Sequence, residues 1–94
     1  MQLTPETAEI LALRALAWLL ANDDLLPVFM GSTGVDAETL REGAGTPEVQ
    51  RSVLDFILLD DAWVIGFCDM HEFDYASVHT ARQLLAGGEE YHWT

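Results

Sequence analysis

The chain contains no lysine. Schiff-base chemistry and a P-loop both need a lysine amine, so both are excluded. The only basic residues are four arginines (Arg14, Arg41, Arg51, Arg82) against 16 acidic residues, giving a formal net charge of -12. Such a chain repels DNA, RNA and anionic membranes, because binding them draws its free energy from neutralised phosphates. Cysteine is almost as scarce. The single thiol, Cys68, has no internal disulfide partner and fits a reducing cytoplasm. The most apolar run, Ala15 to Ala21, falls far short of the roughly 20 residues that span a bilayer. The opening MQLTPETAE has no basic n-region and does not read as a signal peptide. Serine hydrolase and kinase motifs are missing. The expectation is a soluble, cytoplasmic protein.

What remains is apolar and helical. Half of the 94 residues are hydrophobic, enough for one core without disulfides or metal, so residues 1–94 read as a single domain. No stretch alternates with period two for long enough to make a strand. Thr4-Pro5-Glu6 is a helix start: a hydroxyl cap, a proline whose missing N–H costs nothing there, and a carboxylate at the positive end of the dipole. The helix runs to about Ala21 and carries two apolar stripes, one through Leu11, Ala15 and Trp18, the other through Ile10, Leu13 and Ala17. A surface helix has one, so this helix is central or faces a second subunit.

Asn22-Asp23-Asp24 is expected to cap a second helix; with Asp23 or Asp24 as the cap, Pro27 falls within its first turn, and Gly34 is its left-handed stop. Leu25, Leu26, Phe29 and Met30 give its inner face. Asp36 caps a short third helix anchored by Leu40, and Gly43-Ala44-Gly45 reads as a linker. Thr46-Pro47-Glu48 then repeats the opening of the first helix. The fourth helix buries Val49, Val53, Phe56 and Ile57, with Glu48, Arg51 and Asp55 outward at salt-bridge spacing. Asp60-Asp61 caps a fifth helix carrying Trp63, Val64, Phe67 and Cys68. Asp74 caps a sixth with Val78, Ala81 and Leu85, stopped by Gly87-Gly88. The spacing predicts an all-α fold of about six short helices.

Sliding the first half by about 38 positions, the spacing of a helical repeat, sets LAWLLAND (16–23) on LDFILLDD (54–61) without a gap. Phe29 then falls on Phe67, Asp36 on Asp74 and Trp18 on Phe56. The matches lie at core and cap positions, so two related three-helix units packed as one bundle are expected, residues 4–43 and 46–86, with 87–94 as a mobile tail.

The order ETAEILALRALAWLL, DDLLPVFMGSTGVDAETLR and VLDFILLDDAWVIGF resembles a family of short bacterial proteins classed as a domain of unknown function, family 3572. The resemblance covers Glu6 to Leu85 and is most specific in FMGSTGVD. It implies a compact helical domain and no substrate, cofactor or catalytic residue.

Residues 30–41, MGSTGVDAETLR, have helix-turn-helix grammar. The recognition helix would carry Asp36, Glu38, Arg41 and Glu42, a net of two negatives where a DNA reader needs cations, so no nucleic-acid partner is expected. Cys68 and His71 are the candidate metal ligands, beside Asp69 and Glu72, with His92 able to approach from the tail. A zinc site wants a second spaced pair, and the first unit offers Met30 and Thr33, so the plainer reading is an inert core thiol. The pairs Asp23-Asp24 and Asp60-Asp61 resemble catalytic dyads only on paper, since capping accounts for them. His79 and His92 have no identifiable base or nucleophile partners.

Three residues are candidates for interaction. Arg14 interrupts the most apolar helix one turn before Trp18, close enough for the guanidinium to stack; snorkelling or a salt bridge is the plainer account. Trp63 either closes the seam between the units or faces a partner. The reading is a non-catalytic, cofactor-free protein-interaction module or homodimer, with no membrane partner. The alternatives are an acidic regulator occupying the nucleic-acid-binding surface of a basic partner, and a small metal- or ligand-binding protein using Cys68 and His71.

Overall fold

Thr4 sets the first helix in place. Its Oγ1 accepts from the Thr7 N–H at 3.2 Å, and Thr7 Oγ1 accepts from the Thr4 N–H at 2.7 Å, so two otherwise unpaired donors are satisfied reciprocally. Helix α1 (Pro5–Leu20) follows, and then α2 (Leu26–Thr33), α3 (Ala37–Glu42), α4 (Pro47–Ile57), α5 (Asp61–His71) and α6 (Ala76–Leu85). The computed structural model describes residues 3–85, and among these there is no strand. The fold is an all-α bundle. The expected tail, 87–94, and His92 with it, lies outside the described residues.

Helix α1 is the centre. Its inner face is Ala8, Leu11, Ala12, Ala15, Leu16 and Leu19, all buried. Three of these are alanines, and short side chains let neighbouring helix axes come close. Helices α4 and α6 use that room: both lie along α1 and against each other, while α5 closes over α1 and α4. The three-helix heart of the bundle therefore mixes the two expected units. Helices α2 and α3 are shorter and sit further out, anchored by Phe29 and Leu40. The second apolar stripe of α1 stays mostly outside the core, for Ile10 and Leu13 are 50% and 43% exposed, and only its last member, Leu20, packs against it.

Capping residues stop and start the chain mostly where the sequence places them. Asp36 Oδ1 accepts from the Thr39 N–H at 2.8 Å, Thr46 Oγ1 from the Val49 N–H at 3.3 Å and Asp60 Oδ1 from the Ala62 N–H at 2.8 Å. The Gly43–Gly45 linker is held by Gln50, a buried side chain whose Nε2 donates to the Ala44 carbonyl at 3.1 Å. Helix α6 opens at Ala76, and the Ser77 N–H donates to the main-chain carbonyl of Asp74.

Positions about 38 apart have like surroundings in several places. Phe29 and Phe67 are both fully buried. Each meets an aromatic ring of the other half edge-on: Phe29 with Phe56 (centroids 5.2 Å apart, planes at 87°) and Phe67 with Trp18 (6.0 Å, 66°). Trp18 and Phe56 are themselves a matched pair. Gly34 and Glu72 end α2 and α5 in the same left-handed conformation. The likeness stops at the third helix of each half, since α3 has 6 residues and α6 has 10.

Candidate functional site

The turn after α1 departs from expectation. Asn22, not Asp23 or Asp24, holds it. Asn22 Oδ1 accepts from the Asp24 N–H at 3.2 Å and the Leu25 N–H at 3.1 Å, and the Asn22 carbonyl accepts from the Leu26 N–H at 3.0 Å. Helix α2 begins only at Leu26, with no side-chain cap. The two carboxylates are exposed and make no hydrogen bond or ion pair with any described residue. Capping therefore does not account for them. At the matching turn the first acidic residue, Asp60, is the cap and Asp61 opens the helix.

Beside this turn lies an open groove of about 670 Å³ between the end of α1 and the end of α5. Ala17, Trp18 and Ala21 line it from α1, Met70 and His71 from α5, and Asp23 and Asp24 stand along its edge. Trp18 is half-buried, held by Phe67 and by the bare face of Gly66, where a β-carbon would sit 3.6 Å from Trp18 Cζ2. The His71 ring leans on Phe67 with centroids 5.1 Å apart. Met70 is 70% exposed. The groove is an apolar trough with an acidic lip.

A smaller groove of about 290 Å³ lies between α2 and α4, lined by Ser32, Thr33, Ser52, Asp55, Phe56 and Leu59. About 38 positions separate Trp18 from Phe56, Ala21 from Leu59, Met70 from Ser32 and His71 from Thr33. The two grooves are thus lined in part by residues about 38 positions apart. Leu59 stands where Ala21 leaves space.

Among the described residues, Cys68 and His71 belong to no cluster of three or more metal-ligating side chains. Cys68 is 1% exposed, and its Sγ donates to the Asp74 carbonyl at 3.6 Å. Burial, reinforced by the charges of Asp69 and Asp74, pushes the thiol above its ordinary range, so the thiolate a metal needs is disfavoured. His71 lines the groove instead. No group of three or more His, Cys, Asp or Glu able to hold a metal is found among the described residues. Asp69 accepts a hydrogen bond from the Tyr75 hydroxyl at 2.8 Å, which raises the phenol's pKa.

The interaction candidates separate as well. Arg14 is exposed and makes no ring contact or ion pair with any described residue, because Trp18 turns inward to Phe67 and away from it. Trp63 stacks on Phe56 (centroids 4.6 Å apart, planes at 19°), a residue of its own half, and Phe56 in turn meets Phe29 edge-on across the seam. Asp55 pairs with Arg82 across α4 and α6 at 2.5 Å. His79 Nε2 lies 3.3 Å from Gln83 Nε2, with no acid beside it in that contact. Of the candidates, the groove gathers Trp18 and His71. The sequence reading missed Met70, Ala17 and Ala21; the substitution of alanine for leucine in ANDD against LDDA was the available signal.

A family model described as protein of unknown function (DUF3572) matches residues 5–88. No curated protein matches the chain, and no solved structure does.

Proposed function

We propose a role from the surface alone, because the chain belongs to the DUF3572 family of proteins of unknown function. The protein is a non-catalytic, cytoplasmic interaction module that meets a basic protein partner. One observation carries this reading: Asp23 and Asp24 stand exposed and structurally unspent beside an apolar groove, on a chain of net charge -12. Unpaired surface charge next to exposed apolar area is what a complementary partner neutralises and covers. The lone thiol, buried and held protonated, supports a reducing compartment. No helix of the described residues is long and apolar enough to cross a membrane.

Affinity capture from host lysate at low and high salt tests the reading. A partner retained at low salt and released at high salt is expected, since exposed charge pairs are screened. Partners indifferent to salt would count against it.

Self-association is a second reading, favoured by Ile10 and Leu13, which lie one turn apart on the outer side of α1 and are 50% and 43% exposed. A symmetric dimer is the commonest way to cover such a stripe. Sedimentation equilibrium decides it: one species near 10.4 kDa at every concentration removes the dimer.

A further inference from the structure

We infer that the groove between α1 and α5 is the seat of an arginine-bearing segment of that partner, with the guanidinium between Asp23 and Asp24 and the side-chain stem along Trp18 and Met70. The inference rests on the interaction reading and adds its place and chemistry.

Three observations converge. The lip carries two carboxylates with no partner among the described residues, because Asn22, and not they, accepts the N–H bonds of the turn. A cation is the complement they lack. The trough is apolar, and Trp18 offers an indole, the best side chain for a guanidinium to lie against. Arginine suits such a place better than lysine, since its planar fork can meet a carboxylate with two donors while its face stacks on an aromatic ring. Finally, the groove between α2 and α4 is smaller, about 290 Å³, has Leu59 where the first has Ala21, and its one lining carboxylate, Asp55, is paired with Arg82. Of these two grooves, the larger is the one with unpartnered carboxylates along it.

The probe is a short acetylated and amidated peptide alternating arginine, leucine and alanine, compared with the same peptide bearing glutamine for arginine. Titration of the full chain is followed in amide and indole NMR spectra. The arginine peptide moves the Trp18 indole signal together with Ala17, Ala21 and Met70, and the glutamine peptide does not. The double variant Asp23→Asn, Asp24→Asn weakens binding by roughly three- to tenfold, the range that two partly exposed ion pairs supply. Ala21→Leu, which copies the other groove, abolishes the Trp18 response while the remaining spectrum stays native. Shifts spread over other acidic faces with Trp18 unmoved would overturn the groove and leave the basic-partner reading standing. Equal shifts with both peptides would overturn the arginine seat, and no shift with either peptide would remove the groove and the basic-partner reading together.

Discussion

Gly34 and Glu72 stand at matching points, each the first residue past its helix, and both take the left-handed conformation, at φ 75° and φ 60°. Each N–H closes its helix on a carbonyl four residues back, Gly34 on Met30 and Glu72 on Cys68. Only glycine occupies that region without a Cβ penalty. Glu72→Gly is therefore expected to stabilise the fold by about 1 kcal/mol, and Gly34→Ala to destabilise it by a similar amount. Urea unfolding of the two variants measures both signs.

Other glycines separate by the space around them. A β-carbon at Gly31 meets no atom within 4 Å and one at Gly66 meets Trp18 Cζ2 at 3.6 Å, an ordinary contact; both lie within helices. Gly31→Ala and Gly66→Ala should each gain about 0.5–1 kcal/mol from the reduced entropy of the unfolded chain. At Gly43 the same carbon would sit 2.7 Å from Val49 Cγ2 and 3.1 Å from the Thr39 carbonyl oxygen. Gly43→Ala must displace Val49 and lowers the thermal midpoint, which calorimetry reads directly.

Phe29 and Phe67 test the proposed duplication. Both are fully buried, each edge-on to the matched ring of the opposite half. If the halves are copies of one unit, Phe29→Leu and Phe67→Leu cost alike, about 1–2 kcal/mol each. Losses that differ severalfold in denaturant titration would argue that the two sites only look alike.

Asp36 titrates to a helix end. The Thr39 N–H, and then the Thr39 hydroxyl, lower its pKa below the usual 3.8. A folded-state pKa below the unfolded one means the contribution is present above the ordinary carboxylate range and is lost as pH falls through the lowered value. The Thr39 amide signal should hold its position down to mild acid and move only below it, and Asp36→Asn should remove that step.

Cys68 is shielded by burial and held as a thiol by its surroundings, with the charges of Asp69 and Asp74 adding to desolvation. Native protein is expected to resist alkylation at neutral pH and to react once unfolded in denaturant. Rapid labelling of the native chain by a thiol reagent would contradict the burial described.

The order of the helices was legible because local chemistry decides it. Thr4, Asp36, Thr46 and Asp60 cap by reaching the backbone two or three residues on, and Gly34 ends α2 for lack of a Cβ. The turn at Asn22-Asp23-Asp24 was not decidable in that way. Asparagine and aspartate accept the same N–H bonds, and the choice among neighbours depends on how α1 ends. Spacing put Arg14 and Trp18 on one helix face, yet Phe67, from a distant segment, draws the indole inward. The groove itself belongs to no local pattern, because Trp18 and Met70 meet only after α5 folds back on α1.

The alanines of α1 invert the usual ranking of what matters in a core. At Ala8, Ala12 and Ala15 the central helix is fully buried, with α4 and α6 lying along it. One added methyl there is felt by more than one adjoining helix, and no single rotamer change can absorb it. In a saturating substitution screen these smallest of side chains should rank with the phenylalanines as the least replaceable, while the acids around the outside turn over freely.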